Sequence, residues 1–577
     1  MVDPKGRPVT LRGVNLGNWL MLEMWMLTWA DKQGFHDQYT MEELLAKRFG
    51  EAKKEALMEV YRENFLTERD IKHIKSFRFN LLRLPLNYRM FEDDANPKKL
   101  RPNAFKWVDR ALQLAEKEGM YVILDMHGVQ GGQSTYDHTG RSGQNKLWSV
   151  PENLDRLAWL WTEMAKRYKN RSSVIAYDVF NEPYGGTHEG QIKVMKRCYD
   201  AIRSVDPTTM ILAHGHTDTF THYGRPEENG WTNVGYQMHF YPGLFGNGEP
   251  TILTHQKHLQ SLEGWARITK EWNVPFLVGE MNVVFKRAGG AEMMRRTYDL
   301  HEKNNWMTTM WSYKVFGEGG FGDDHWGMVT NADPLPPLDI NTDSYEKIQA
   351  WFKGLSTMKL AVNEPLRKMM APKSVKLSKL PDIPKPRTTA PQESWEGWTS
   401  TDLGGAMKGG LQKIEDGVFA LFGAGNDLWG SKDEGRFLHK TIDGDFSLLV
   451  QLRSMEDIEQ YSKAGLMVRS TLDHDAPNLL ISSFVNGELQ LAYRSAKGVA
   501  MEAQPIVQSK MPIWLKISRK GTDFTAESSQ NGLDWTVVGK QSVPALNGKV
   551  MVGPIALSHV GHALIKIFYA DLKLIKN

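Results

Sequence analysis

Two glutamates each close an apolar run. Ala176-Tyr-Asp-Val-Phe-Asn181-Glu182-Pro183 reads as a buried strand that stops at Asn-Glu-Pro, and Pro275-Phe-Leu-Val-Gly-Glu280 reads as a second strand that stops at one carboxylate. Carboxylates delivered to the C-terminal ends of two parallel strands suit two-step cleavage of a glycosidic bond. One protonates the departing oxygen and the other attacks the anomeric carbon, at a separation of roughly 5–5.5 Å. Glu182 is read as the general acid/base. Glu280 is read as the nucleophile, which must stay ionised. Arg83 is its natural partner, because a guanidinium fixes a carboxylate through two hydrogen bonds. His239 and Tyr241 stand two apart at another strand end and so point the same way. Taken alone, two such glutamates also serve as carboxylates at helix starts.

The elements that must position these groups follow from periodicity. Eight short apolar runs alternate with longer helical patterns from Thr10 to about Leu360. They are Leu11–Asn15, Asn80–Leu84, Tyr121–Asp125, Ala176–Phe180, Met210–Ala213, Val234–Met238, Phe276–Val278 and Met307–Trp311. Between them lie amphipathic segments such as Ala104–Gly119, whose final glycine suits a helix C-cap. Strands alternating with helices imply a parallel sheet covered by helices. Eight units predict an α/β fold, a (β/α)8 TIM barrel over 1–371. The alternative, a doubly wound open sheet, lacks a glycine fingerprint at its start. Five prolines mark a semi-rigid linker over 372–393. Short alternating runs separated by Asn-Gly and Asp-Gly turns then predict an all-β sandwich over 394–577.

Composition excludes some classes. A chain of 577 residues should hold two or three domains. With 71 basic and 68 acidic residues the net charge is +3, which gives no field to recruit nucleic acid or an anionic membrane. No run reaches the roughly 18 apolar residues of a membrane span. The single cysteine, Cys198, permits no intrachain disulfide and no cysteine metal cage. His214-Gly-His216 has the spacing of two metal ligands but no evident third, and reads as cleft lining. The reading is therefore a monomer with no metal and no cofactor. The first residues, Met1-Val-Asp-Pro-Lys-Gly-Arg, lack the regions of a signal peptide. A secreted or periplasmic protein whose leader has been removed is expected. The 19 tryptophans and 18 tyrosines also suit sugar stacking, with Trp25, Trp148, Trp231 and Trp326 as candidate platforms.

Six strand-end motifs occur in order: Leu-Arg83-Leu-Pro, Asp125-Met-His127-Gly, Asn181-Glu182-Pro, His239-Phe-Tyr241, Gly-Glu280 and Trp311-Ser. Over about 1–365 the chain resembles glycoside hydrolase family 5, the retaining cellulases and glucanases. The resemblance implies that His239 and Tyr241 orient the carboxylates and that Asn181 meets the sugar 2-hydroxyl. It also implies that His127 faces the same subsite and that Trp311 stacks beneath it. Gly13-Val-Asn-Leu-Gly-Asn-Trp19-Leu-Met-Leu-Glu23-Met-Trp25 resembles the exo-β-1,3-glucanase branch, in which the glutamate binds the terminal glucose, and Asp137 aligns with a pocket aspartate. His138 departs from that branch, which usually carries asparagine there, and its familiar cysteines are missing. The expectation is a retaining exo-β-1,3-glucanase acting on β-glucan. An endo-β-1,4- or mixed-linkage glucanase is the alternative, with a transglycosylase or a non-catalytic glycan-binding protein behind it. The C-terminal region resembles concanavalin-like, laminin-G-type domains through Lys463–Arg469, Trp514–Gly521 and Phe524–Trp535. That implies a carbohydrate-binding role, through aromatics such as Tyr461, Tyr493 or Trp429, or a stabilising one.

Overall fold

All eight apolar runs form strands: β1 (Arg12–Asn15), β2 (Leu81–Asn87), β3 (Tyr121–Gly128), β4 (Val174–Asp178), β5 (Met210–His214), β6 (Val234–Phe240), β7 (Phe276–Met281) and β8 (Met307–Met310). Each pairs in parallel with its sequence neighbour, and β8 closes onto β1, so the sheet is a closed barrel rather than an open one. In this computed structural model the described residues are 9–577 apart from 28–29, 31–32, 218, 246–249, 284–288, 318, 320–325, 381–385 and 460. The chain divides into two units, Met1–Pro381 and Asp382–Asn577.

Two strand ends differ from expectation. Strand β2 continues past Arg83 through Pro85, which pairs in register with Asp125. Proline forfeits one ladder hydrogen bond there but keeps an extended φ. Strand β4 stops at Asp178, so Asn181 and Glu182 stand beyond the sheet on a turn.

The helices cover the barrel with one face each. Helix α1 (Lys106–Lys117) buries Trp107, Val108, Ala111, Leu112, Leu114 and Ala115, and Gly119 beyond it takes a φ of +62°. Helix α2 (Pro151–Tyr168) buries Trp161 fully, and its indole N–H donates to the Val179 carbonyl at 2.9 Å. Burying such a ring contributes roughly 3 kcal/mol, and its hydrogen bond ties the helix to the segment carrying Asn181 and Glu182. Inside the barrel, Arg83, Asp178 and Gln237 come from β2, β4 and β6. Inward side chains of alternate strands meet in one layer, and here that layer is polar.

The second unit holds two seven-stranded antiparallel sheets. One contains Lys463–Arg469 and Asn478–Ser483, the other Phe446–Met455 and Ile513–Lys520. Ile513, Leu515 and Ile517 alternate inward and share a core with Leu448, Val450, Leu466 and Ile481. Tyr461 is 46% and Trp429 40% exposed, whereas Tyr493 is half-buried with its hydroxyl on Glu502.

Both ends of the proline-rich stretch are tied down. On helix α3 (Gly290–Lys303), Arg295 donates to the Pro372 and Lys373 carbonyls, and Glu292 accepts from Ser378. The Arg387 carbonyl accepts from the Leu564 N–H and Gln392 bridges to Leu411, both within the sandwich unit. Residues 381–385 lie outside the described residues. Among the described residues no helix is long and apolar enough to cross a membrane. Cys198 is buried.

Candidate active site

Arg83 is fully buried on β2 and organises the C-terminal mouth of the barrel. Its Nε donates to Asp178 at 2.9 Å, one terminal nitrogen to Asn15 and Glu280 at 3.0 Å each, and the other to Asn181 at 2.8 Å. Asp125 lies 3.1 Å away. Register explains the convergence, since Asn15 pairs with Arg83, Asp125 with Asp178 and His239 with Glu280 across adjacent strands. A buried guanidinium is tolerable only with paired anions, and burial without them would cost several kcal/mol.

The turn after β4 aims Glu182 into the mouth. Glu182 takes a φ of +38°, a region costly to a residue with a Cβ. Its N–H donates to His214 Nδ1 at 3.1 Å, and its carbonyl accepts from the Tyr184 N–H at 2.7 Å. Its carboxyl Oε1 lies 2.7 Å from His239 Nδ1, and Oε2 lies 3.2 Å from His138 Nδ1. Glu280 is the penultimate residue of β7 and follows Gly279, where a Cβ would stand 2.3 Å from Gln237 Oε1 and 2.8 Å from His239 Nε2 and would force both side chains to shift. Glu280 Oε1 takes the Arg83 bond, and Oε2 accepts from the Tyr241 hydroxyl at 2.7 Å. Donor atoms of Glu182, His239 and Glu280 lie within 4.8 Å of one another.

Two carboxylates this close cannot both ionise freely. Burial first, and then the Glu182 charge, push Glu280 up to about 8, against the pull of Arg83 and His127. That differs from the expected nucleophile, held ionised by arginine alone. The proton belongs to the pair. Burial and Arg83 hold His239 well below its usual value, so it is neutral and leaves the local charge to the carboxylates. Burial likewise keeps His214 neutral, as a backbone acceptor in the lining. The Glu182, His239 and Glu280 trio has the reach to hold a metal ion. Arg83 at 3.0 Å already supplies the cation facing Glu280, so a dication there would meet like charge.

The remaining expected residues join the same mouth. His127 Nδ1 lies 2.7 Å from Asp125, and its Nε2 faces Asn181 Nδ2 at 3.2 Å and Glu23 at 3.8 Å. Burial would lower His127, but Asp125 and Glu23 outweigh it and push it up to about 10. Trp311 stacks on His127 at 5.3 Å and 16°; its peptide bond to Ser312 is cis. Trp25 Nε1 donates to Glu23 at 2.6 Å. Burial and then the Glu23 charge raise Asp137, which is half-buried on the short turn Asp137–Thr139. Of the candidate platforms, Trp25 and Trp326 meet edge-on at 5.2 Å, and Trp326 also packs on Tyr241 and the exposed Phe245. Trp148 is tied instead to the Gln133 carbonyl, and Trp231 is buried among Tyr199 and Tyr223. Asn15, Asp178, Gln237, His138 and Tyr184 belong to the site without having been assigned to it from sequence. For Asn15 and Asp178 the available signal was a polar residue inside or ending an apolar run. For His138 it was the departure from asparagine.

Comparison with known proteins agrees with this geometry. The cellulase family, glycosyl hydrolase family 5, matches residues 47–317. A β-xylosidase of Phanerodontia chrysosporium is 35% identical over 378 residues, covering 61% of this chain and 76% of that protein. A probable glucan 1,3-β-glucosidase A of Aspergillus clavatus is 29% identical, covering 47% of this chain and 64% of that one. Endoglucanase C of Acetivibrio thermocellus is 29% identical over 201 residues, 34% of this chain and 54% of its own. With its closed eight-stranded barrel, one carboxylate on the segment after β4 and another near the end of β7, the chain belongs to glycosyl hydrolase family 5 and is a glycosidase.

Proposed function

We propose that this enzyme removes single glucose units from the non-reducing ends of β-1,3-linked glucans and their oligosaccharides, with retention of configuration. Glu280 attacks the anomeric carbon while the Glu182 carboxyl gives its proton to the glycosidic oxygen, and the shortened glucan leaves as an alcohol. Water then passes a proton to Glu182 and attacks the same carbon, expelling Glu280 with its charge restored. The observation that carries this reading is the approach of the two carboxyl groups, with oxygens within 4.8 Å. Inverting pairs stand roughly 6.5–9.5 Å apart to admit a water, whereas retaining pairs are close enough for direct attack. Arg83 and Tyr241 on Glu280 stabilise the carboxylate that leaves in the second step.

Exo action is supported by two acids of the mouth, Glu23 at 3.8 Å from His127 Nε2 and Asp137, whose carboxyl the Glu23 charge reaches. Glu23, fixed by Trp25, and Asp137 present acceptors for the hydroxyls of a terminal sugar. One relative is named for 1,3-linked glucan, which favours that linkage here. The relative matched over 378 residues is named for xylose, and it supports a second reading, release of terminal β-xylose. Secretion or a periplasmic location accompanies either reading, because polymeric glycans are met outside the cytoplasm.

The test is digestion of laminarin, a β-1,4-glucan, a mixed-linkage glucan and xylo-oligosaccharides, followed by chromatography and anomer-resolved NMR. β-Glucose from laminarin as the first product is expected. Xylose alone would favour the second reading, a ladder of oligosaccharides would mean internal cleavage, and an initial α-anomer would refute retention.

A further inference from the structure

We propose that His138 is a positioning residue for the Glu182 carboxyl, aligning the oxygen that delivers the proton to the leaving group. The inference rests on Glu182 being the acid/base. His239 Nδ1 holds Oε1 at 2.7 Å and the Tyr184 hydroxyl also reaches this carboxyl, and we take Oε2 as the oxygen that faces the departing group. His138 Nδ1 lies 3.2 Å from that atom. In the free enzyme such contacts are often long and tighten when substrate binds.

The imidazole is held by its own surroundings. Its Nε2 lies 2.9 Å from the hydroxyl of Ser134, which is 1% exposed. The turn bearing it, Asp137–Thr139, is closed by the Gly140 N–H on the Asp137 carbonyl and by the Thr139 hydroxyl on the Tyr136 and Arg141 carbonyls. A serine hydroxyl both donates and accepts, so Ser134 supports either tautomer. A ring bearing its proton on Nδ1 donates to Oε2 whether Glu182 is ionised or protonated, with Ser134 donating to Nε2, so the carboxylic proton stays free to face the leaving group. One short turn thus presents Asp137 to the sugar and His138 to the acid.

The variants His138→Ala and His138→Asn separate this role from a structural one. Asparagine carries its amide nitrogen close to where imidazole carries Nδ1, so it keeps the contact with Oε2 and gives up Ser134. The measurement is kcat/KM on two aryl β-glycosides of the sugar released from polymer, one with a phenyl and one with a 2,4-dinitrophenyl leaving group. The dinitrophenolate departs without a proton. His138→Ala should lose about 10- to 100-fold on the phenyl substrate and less than about 3-fold on the other, and His138→Asn should recover most of the loss. If the alanine variant does not fold, His138→Gln replaces it, because its amide reaches the Nε2 position and should fail to rescue. Equal losses on both substrates, or none on either, overturn the proposal. Glu182→Gln is assayed alongside. If it keeps full activity on the phenyl substrate, the assignment of Glu182 itself falls; if it shows the selective loss and the His138 variants do not, only the role of His138 falls.

Discussion

Neutralising either carboxylate of the close pair should stabilise the fold, by an amount that depends on pH. At 4.8 Å and an effective dielectric of about 20, two full charges repel by roughly 3.5 kcal/mol. The native pair avoids this by keeping a proton up to about 8, whereas a free glutamate releases it at 4.5. A group whose folded pKa is raised contributes stability that is complete below its unfolded pKa and is lost as pH rises through the folded one. The wild type should therefore lose stability between pH 4.5 and 8. At about 1.36 kcal/mol per pH unit, the upper figure for the penalty at pH 7 lies a little above ~3 kcal/mol. Glu280→Gln removes that penalty but weakens the bonds from Arg83 and Tyr241, so a net gain of about 1–2 kcal/mol at pH 7–8 is expected. Glu182→Gln should gain similarly. The double variant should gain little more, because one substitution already relieves the repulsion. Urea unfolding at pH 4.5, 6, 7 and 8 measures this, with both single variants matching wild type at the lowest pH. A gap that does not change with pH, or variants less stable than wild type at pH 8, would refute the shared-proton account.

Arg83→Lys should lower kcat/KM by about 100-fold or more and destabilise the barrel by about 3 kcal/mol, because an ammonium cannot span Asn15, Asp178, Asn181 and Glu280 together; steady-state kinetics and urea unfolding read the two effects. Glu23→Gln and Asp137→Asn should raise KM for oligosaccharides about 10-fold or more with kcat less affected, and unchanged KM in both would remove the pocket argument for exo action. Lys314→Met separates stability from catalysis. The amine is buried on Asp70 at 2.8 Å and on the Phe65 carbonyl, so its loss should cost about 3–5 kcal/mol in urea unfolding with kcat unchanged.

The parts of the site that could be read from sequence are those ending an apolar run, because a strand that stops at a polar residue announces both its direction and its cargo. Glu182, Glu280, His239 and Tyr241 were legible for that reason. The Trp148 and Trp231 platforms were not, because ring type does not reveal exposure. Trp148 is held by the Gln133 carbonyl and Trp231 is 3% exposed. That burial raises Glu280 was not legible either, since sequence marks both glutamates alike, but Glu280 is 5% exposed near a strand end whereas Glu182 stands on the turn beyond β4. Asn15, Asp125, Asp178 and Gln237 hold Arg83 and its layer together from four other strands, and no local pattern joins them. A charge argument would have come close. Arg83 stands between leucines in a fully buried strand, and a cation so placed needs anions on neighbouring strands. Asp125 and Asp178 are the acidic residues inside the next two runs, and register pairs them with each other. The apolar runs therefore specified the barrel, and the charges interrupting them specified which face of it carries the chemistry.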